Sequence, residues 1–337
     1  MKIAITGGAG FVGSYLAAAY LDAGHDVFVI DSLMNCPGQG ITSLDSRARF
    51  YHLDIRDERL HKILQMERPD IVSHHAGQPA QPLYGDRAMR DADVHIRGLL
   101  NVLEACVSAS VGKIIFASNG NSMFRAMPLS EYVQQGFPAL KEDAPLCPQR
   151  PGDISKVAGE WYVRYYTRAY ALDHTILRYA DIIGAASDIE RHPVLYFATM
   201  LADQQRPIIR GSGQDIRDHV FLDDVARANL RSLDHGRNST LHISSGNGYS
   251  QDALFCAVAQ QLSSSLLPVY LASERSEPTA VVLDNTLARQ QLGWQPQVSF
   301  SKGIQSITEG MLARRIPALA QESREPVTER AEATVLV

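Results

Sequence analysis

Along the first half of the chain, apolar residues come in short blocks separated by polar, glycine-containing loops. The blocks Lys2–Thr6, Val27–Ile30, Arg49–Leu53, Ile71–Gly77 and Lys113–Ser118 are too short for core helices and read as strands. Between them apolar positions recur at helical spacing: Ser14 to Ala23, the stretch closing at Met66, and Asp91 to Ala109, which carries Val94, Leu99, Leu100, Val102 and Leu103. A further long helix is expected from Asp153 to Tyr170, ahead of a sixth strand, Thr175–Tyr179. Strands alternating with helices at this spacing predict an α/β fold, a doubly wound parallel sheet covered on both faces with right-handed crossovers. From about Ala185 the elements shorten and polar loops such as Gly211-Ser212-Gly213 and Gly246-Asn247-Gly248 intervene. The expected organisation is a sheet domain over 1–184 and a smaller lid over 185–317 with some segments returning to the core. The last stretch, 318–337, is rich in Glu, Arg and Ala without apolar periodicity and is expected to be disordered.

Chemistry enters at the first strand. It runs into Thr6-Gly7-Gly8-Ala9-Gly10-Phe11-Val12-Gly13 and then a helix. Gly7 and Gly10 permit a sharp turn and close backbone approach to a ligand, and Gly13 lets the helix pack against the strand. The helix N-terminus, with its unpaired N–H groups and positive dipole end, suits a pyrophosphate. The second strand ends in Asp31, at the distance where a carboxylate meets the adenine-side ribose. The pattern predicts a dinucleotide cofactor, and Asp31 favours NAD, because a carboxylate accepts from a free 2′-hydroxyl and repels a 2′-phosphate.

Bulk properties narrow the partners. The chain has 337 residues, 45% of them hydrophobic, and a formal charge of −5 at pH 7, so no basic footprint points to nucleic acid. Cys36, Cys106, Cys147 and Cys256 lie far apart, without metal-ligand or redox spacing, and read as reduced thiols. Metal ligation is not expected, nor is any apolar run long enough to span a bilayer. A cytoplasmic protein is the expectation.

These motifs together resemble the extended short-chain dehydrogenase/reductase family, in its NAD-dependent epimerase/dehydratase branch that acts on nucleotide sugars. The likeness runs from Lys2 to about Gly310: the TGGxGFxG loop, Asp54-Ile55, His74-His75-Ala76-Gly77-Gln78, Leu177-Arg178-Tyr179, the run Gly211 to Val225, and Leu292-Gly293-Trp294-Gln295-Pro296. The resemblance implies a Rossmann-type sheet with a C-terminal substrate lid. It also implies a cofactor shell of Gly7, Gly10, Phe11, Val12, Gly13, Asp31, Ser32, Asp54, Ile55, His75, Ala76, Gly77, Gln78, Ala117, Ser118, Lys156 and Tyr179. In relatives the aromatic-rich helix, here with Trp161, Tyr162, Tyr165, Tyr166 and Tyr170, pairs with the Leu99–Ala109 helix in a dimer contact, so a homodimer is expected.

The reaction centre departs from the family pattern. Its Tyr-x-x-x-Lys pair, four residues apart on one helix face, reads here as Gly152 and Lys156. Tyr162, Tyr165 and Tyr166 lie one to three turns beyond Lys156 and do not stand in. The Ser/Thr that bonds the reacting hydroxyl is replaced by Asn119 or Asn121, the register being open between them. A helix Asn becomes His95, and the Asn near the substrate diphosphate becomes Asp181, which Arg217 is placed to neutralise. Lys156, Ser118, Asn119 and His95 are the expected catalytic group, with His95 a candidate acid/base near neutrality; Asn121, Asp181 and Arg217 are expected at the substrate. Asp153 reads as a helix-start carboxylate, and His74 and His75 as structural. Three functions follow: a sugar epimerase working through a keto intermediate with a non-tyrosine base, a scaffold turned to other chemistry on a non-nucleotide substrate with bound NAD, or a catalytically silent NAD-binding partner protein.

Overall fold

A computed structural model describes residues 1–35, 44–78, 88–184, 192–272 and 277–322, with side chains to 313. Seven parallel strands form the central sheet: β1 (Lys2–Thr6), β2 (Asp26–Asp31), β3 (Arg49–His52), β4 (Ile71–His74), β5 (Lys113–Asn119), β6 (Asp173–Tyr179) and β7 (Ser239–Ile243), in the spatial order β7-β6-β5-β4-β1-β2-β3. The near-continuous apolar runs in β1, β2 and β5 suit strands covered on both faces. Ile3, Ile5, Phe28, Ile30, Ile114 and Phe116 are fully or almost fully buried.

The covering helices are α1 (Phe11–Asp22), α2 (Arg59–Glu67), α3 (Ala88–Ala92), α4 (Leu99–Ser108), α5 (Pro151–Tyr170) and α6 (Leu222–Asp234), while α7 (Phe300–Glu322) packs in the lid against helices Pro193–Ala202 and Gln251–Gln261. The helix expected over Asp91–Ala109 is divided: α3 passes through a π-helical segment, Asp93–Gly98, into α4. Such segments widen the turn by a residue and re-aim side chains, often beside functional groups. On α5, Gly159 replaces a side chain whose Cβ would lie 2.9 Å from the Phe116 ring. That absence lets the helix lie close on β5. β4 stops at His74, not Gly77, because the chain then turns across the glycine loop, where a Cβ on Gly7 would sit 2.5 Å from Ala76 N.

The lid carries a second sheet in which Ile216–Phe221 pairs with Asp181–Ile183, Gly248–Ser250 and Thr279–Val281, the last pairing with Met127–Pro128. The division at residue 184 is therefore interlaced. Residues 127–128 join the lid sheet, and β7 with α6 returns to the main one. At the C-terminus, residues 318–322 of the expected disordered tail continue α7, and 323–337 lie outside the described residues. Cys106, Cys147 and Cys256 are free thiols, and Cys36 lies outside the described residues. Among the described residues no helix is long and apolar enough to cross a membrane, and no group of His, Cys, Asp and Glu could hold a metal.

Candidate active site

The glycine loop lies between the carboxyl ends of β1 and β4. Gly7 has φ +71°, a conformation open to glycine at little cost. A Cβ on Gly13 would overlap the Gly7 carbonyl, so the α1 start is pressed onto the turn. Gly10 is the N-cap and no side chain caps the first turn, leaving the Phe11 and Val12 end of α1 for an anion. Asp31 closes β2 with Oδ2 accepting from Ala9 N–H at 3.0 Å and Oδ1 from Leu33 N–H at 2.8 Å, which fixes its carboxylate beside the loop. Ser32 follows, its carbonyl 3.2 Å from His52 Nε2. Asp54 is held by Arg56, whose guanidinium keeps its carboxyl below the usual range. Asn101 on α4 donates to the Ile55 carbonyl at 2.6 Å and pins that turn. A close-approach cradle, an uncapped helix start and an oriented acid at the strand end fit a dinucleotide.

Beyond β4, the Thr6 carbonyl accepts from His75 N–H at 3.0 Å, and His75 Nε2 meets Ser73 Oγ at 2.9 Å. His74 is buried against Phe116 and shares a 2.8 Å bond with Thr6 Oγ1. Both imidazoles serve the scaffold, as expected. The Ala76–Gln78 backbone then crosses the loop, with the Gly77 carbonyl accepting from Asn35 at 3.2 Å. Tyr179 commits its hydroxyl to Asn229 on α6 in the core, and its carbonyl accepts from Gly120 N–H at 2.7 Å.

The expected catalytic group separates. Lys156 reaches the end of β5 and donates to the Ala117 carbonyl at 2.8 Å, its ammonium 5.0 Å from the Phe116 ring centre. Burial lowers its pKa to about 8 against the pull of Asp91 and Glu160. Ser118 also faces α5, donating to Glu160 Oε1 at 2.8 Å one turn beyond Lys156; that carboxylate is clamped by Arg178 at 2.8 and 2.7 Å, both buried. Strand alternation puts Ser118 on the same face of β5 as Phe116, which Lys156 covers, and there its hydroxyl joins this ion pair. His95 lies beside the site but does not titrate near neutrality: burial, then Lys156, lowers its pKa to about 3, and Nε2 accepts from Gln78 N–H at 3.0 Å. Asn119 Nδ2 donates to Asp153 Oδ1 at 2.7 Å, joined by Ser122 Oγ at 2.6 Å. Asp153 thus ties the loop after β5 to the α5 start, more than the dipole role its position predicted.

Asn121 is buried, donating to the Asp218 carbonyl at 2.7 Å and bonding Asp181. It belongs to the lid side, so Asn119 alone remains at the reaction centre. Asp181 is exposed yet set deep enough that desolvation raises its pKa against Arg217 and His192. Arg217 donates to the Ile216 and Thr279 carbonyls. His192 and His219, which the motifs did not single out, face each other at 6.2 Å, and burial lowers them to about 3 and 4. A cleft of about 380 Å³ opens beside His219, Tyr249 and Phe300; none of the residues at Lys156 line it. Asp91 was also missed, although its place one turn before His95 is a readable signal.

Residues 3–244 match the family described as the NAD dependent epimerase/dehydratase family. The chain belongs to that family, and its cofactor is NAD. It is 32% identical over 314 residues to a UDP-glucose 4-epimerase of Mycolicibacterium smegmatis, covering 92% of this chain and 98% of the relative. The Thermotoga maritima UDP-glucose 4-epimerase with UDP-glucose superposes with a TM-score of 0.85 at 31% identity, over 94% of this chain and 100% of that one. The Thermus thermophilus UDP-glucose 4-epimerase in complex with NAD gives 0.83 at 27% identity, over 93% and 99%.

Proposed function

We propose that the protein is an NAD-dependent nucleotide-sugar epimerase that inverts a hydroxyl-bearing carbon through a transient keto sugar without a tyrosine base. NAD, when held there, would supply the hydride acceptor and donor. Gly7, Gly10 and Gly13 admit the pyrophosphate to the α1 start, and Asp31 accepts from the ribose hydroxyls. The Lys156 ammonium donates to the nicotinamide ribose and biases the site toward negative charge on the reacting oxygen. The carrying observation is the position of Lys156 at the carboxyl end of β5, on the same edge of the sheet as the glycine loop. Such an edge is where open α/β sheets bind ligands. Relatives and structural neighbours named as UDP-glucose 4-epimerases favour the nucleotide-sugar class. A homodimer through α5 and a cytoplasmic location belong to the same reading.

The test is incubation of the purified protein with UDP-glucose and other nucleotide sugars, following the epimer by proton NMR and the nicotinamide by absorbance. Epimer formation without net NADH supports the reading; binding of NAD with no turnover of any nucleotide sugar overturns it. Asp181 favours a second reading, other chemistry on a substrate lacking a diphosphate, because a carboxylate there opposes that group. Tight binding of several nucleotide sugars by calorimetry would refute that alternative.

A further inference from the structure

Gly152 is the second residue of α5, at the helix start. Outside the helix itself, a Cβ at this position would meet one described atom within 4 Å, Asp91 Oδ2 at 3.3 Å. Asp91 projects from α3, which packs across α5. It is 4% exposed, and so is Asp153. Asp91 Oδ1 and Asp153 Oδ2 are both buried without a hydrogen-bond partner among the described residues. An acceptor left so costs on the order of 1–3 kcal/mol. Two such atoms, on the carboxylates that flank position 152, mark a place for donors that the described residues do not supply.

The neighbouring groups are already engaged. His95 Nε2 accepts from Gln78, Asn119 and Ser122 donate to Asp153 Oδ1, and Ser118 is turned to Glu160. Lys156, as an ammonium, has no lone pair to offer. An amide such as Asn119 takes no proton near neutrality. Among the groups around this position, the Asp91 carboxylate turns Oδ2 toward position 152 and keeps Oδ1 without a hydrogen-bond partner among the described residues.

We propose that the reacting hydroxyl of the substrate enters the space beside Gly152 and gives its proton to the Asp91 carboxylate, while Asp153 Oδ2 accepts a second hydroxyl of the same sugar. This rests on the epimerase reading and names its base. As the carbon gives its hydride to NAD, the hydroxyl O–H bond breaks, its electron pair closes the carbonyl, and the proton forms the O–H bond of a neutral Asp91. Return of the hydride to the other face takes that proton back, so nothing is consumed. Asp91 faces Asp153, Ser155 and Lys156 from α5, and His95 from its own helical run at 3.9 Å. Burial raises its pKa above the usual carboxylate range, the Ser155 bond and Lys156 oppose that, and Asp153 adds to it. A raised carboxyl is the better matched to take and return a proton.

The experiment compares Asp91→Asn, Asp153→Asn and Gly152→Ala in the full chain loaded with NAD. In Asp91→Asn, binding of NAD and of the nucleotide sugar stays close to wild type, while single-turnover nicotinamide reduction slows by roughly 100-fold or more and the acid limb of its pH profile disappears. Gly152→Ala narrows the entry and raises KM. Without substrate, the carboxyl carbon resonance that Asp91→Asn removes titrates above ordinary aspartates and shifts when nucleotide sugar binds. Wild-type rate and acid limb in Asp91→Asn, or loss of that limb in Asp153→Asn instead, overturn the assignment. Failure of the epimerase reading looks different: the wild type itself then reduces no nicotinamide with any nucleotide sugar, and the assignment falls with it.

Discussion

Ser118 on β5 and Lys156 on α5 meet on one side of the sheet, where Ser118 bonds Glu160 one turn beyond Lys156. Ser118 donates into the buried Glu160–Arg178 pair, so Ser118→Ala should leave turnover near wild type and cost about 1 kcal/mol of stability, read by urea titration. Breaking the pair is more severe: Arg178→Met leaves the buried Glu160 carboxylate to Arg164 at 3.1 Å and Ser118, and should cost about 3 kcal/mol. Lys156 carries the pH dependence. Its pKa of about 8 lies below that of a free lysine, so the folded protein holds fewer protons than the unfolded chain between that value and 10.5. The Lys156 contribution to stability therefore rises with pH across this window. NAD affinity should fall across the same pH range, as the ammonium donor to the ribose is lost. Calorimetric Tm and NAD titration from neutral to alkaline pH separate the two signs.

At the scale of elements, the glycine loop was legible in the sequence because its requirement is local: a positive φ at Gly7, a close approach at Gly13, a helix start and an acid one strand on. Gly13→Ala should abolish NAD binding, measured by calorimetry, since the methyl group would overlap the Gly7 carbonyl. The reaction centre was less legible, since its contacts depend on which face each side chain takes. Ser118 follows the motif in register, but its hydroxyl is taken by Glu160 on α5. His95 sits where an acid/base was expected, but burial and the Gln78 N–H fix it neutral. Asp91 offered only its spacing to His95, because its importance comes from packing that brings Oδ2 within 3.3 Å of a Cβ at position 152, sixty-one residues away in sequence. Single positions in a motif report chemistry; packing between α3 and α5 reports whether that chemistry can be reached.

For the whole molecule, buried neutral histidines set the acid limit. His75, His95, His174, His192, His219 and His242 are all lowered by burial to about 3 or 4, whereas the unfolded chain protonates its histidines near 6.5. Below 6.5 the unfolded state binds more protons, so stability should drop steadily as pH falls toward 4, seen as a declining Tm by scanning calorimetry. The outer face of α5 exposes Trp161 at 60%, Tyr165 at 49% and Tyr170 at 51%. Trp161→Glu with Tyr165→Glu should convert a dimer to monomers in analytical ultracentrifugation while leaving the fold intact. The interlacing of the two sheets has a consequence for biosynthesis. Because β7 pairs with β6 through Ser239–Ile243, the nascent chain must carry an open sheet edge on the ribosome for some sixty residues of further synthesis. The Met127–Pro128 strand waits longer still, until Thr279–Val281 emerges to meet it. Pulse-labelled nascent chains should therefore stay protease-sensitive until nearly the whole polypeptide has left the exit tunnel, and neither half should be obtainable as a stable fragment.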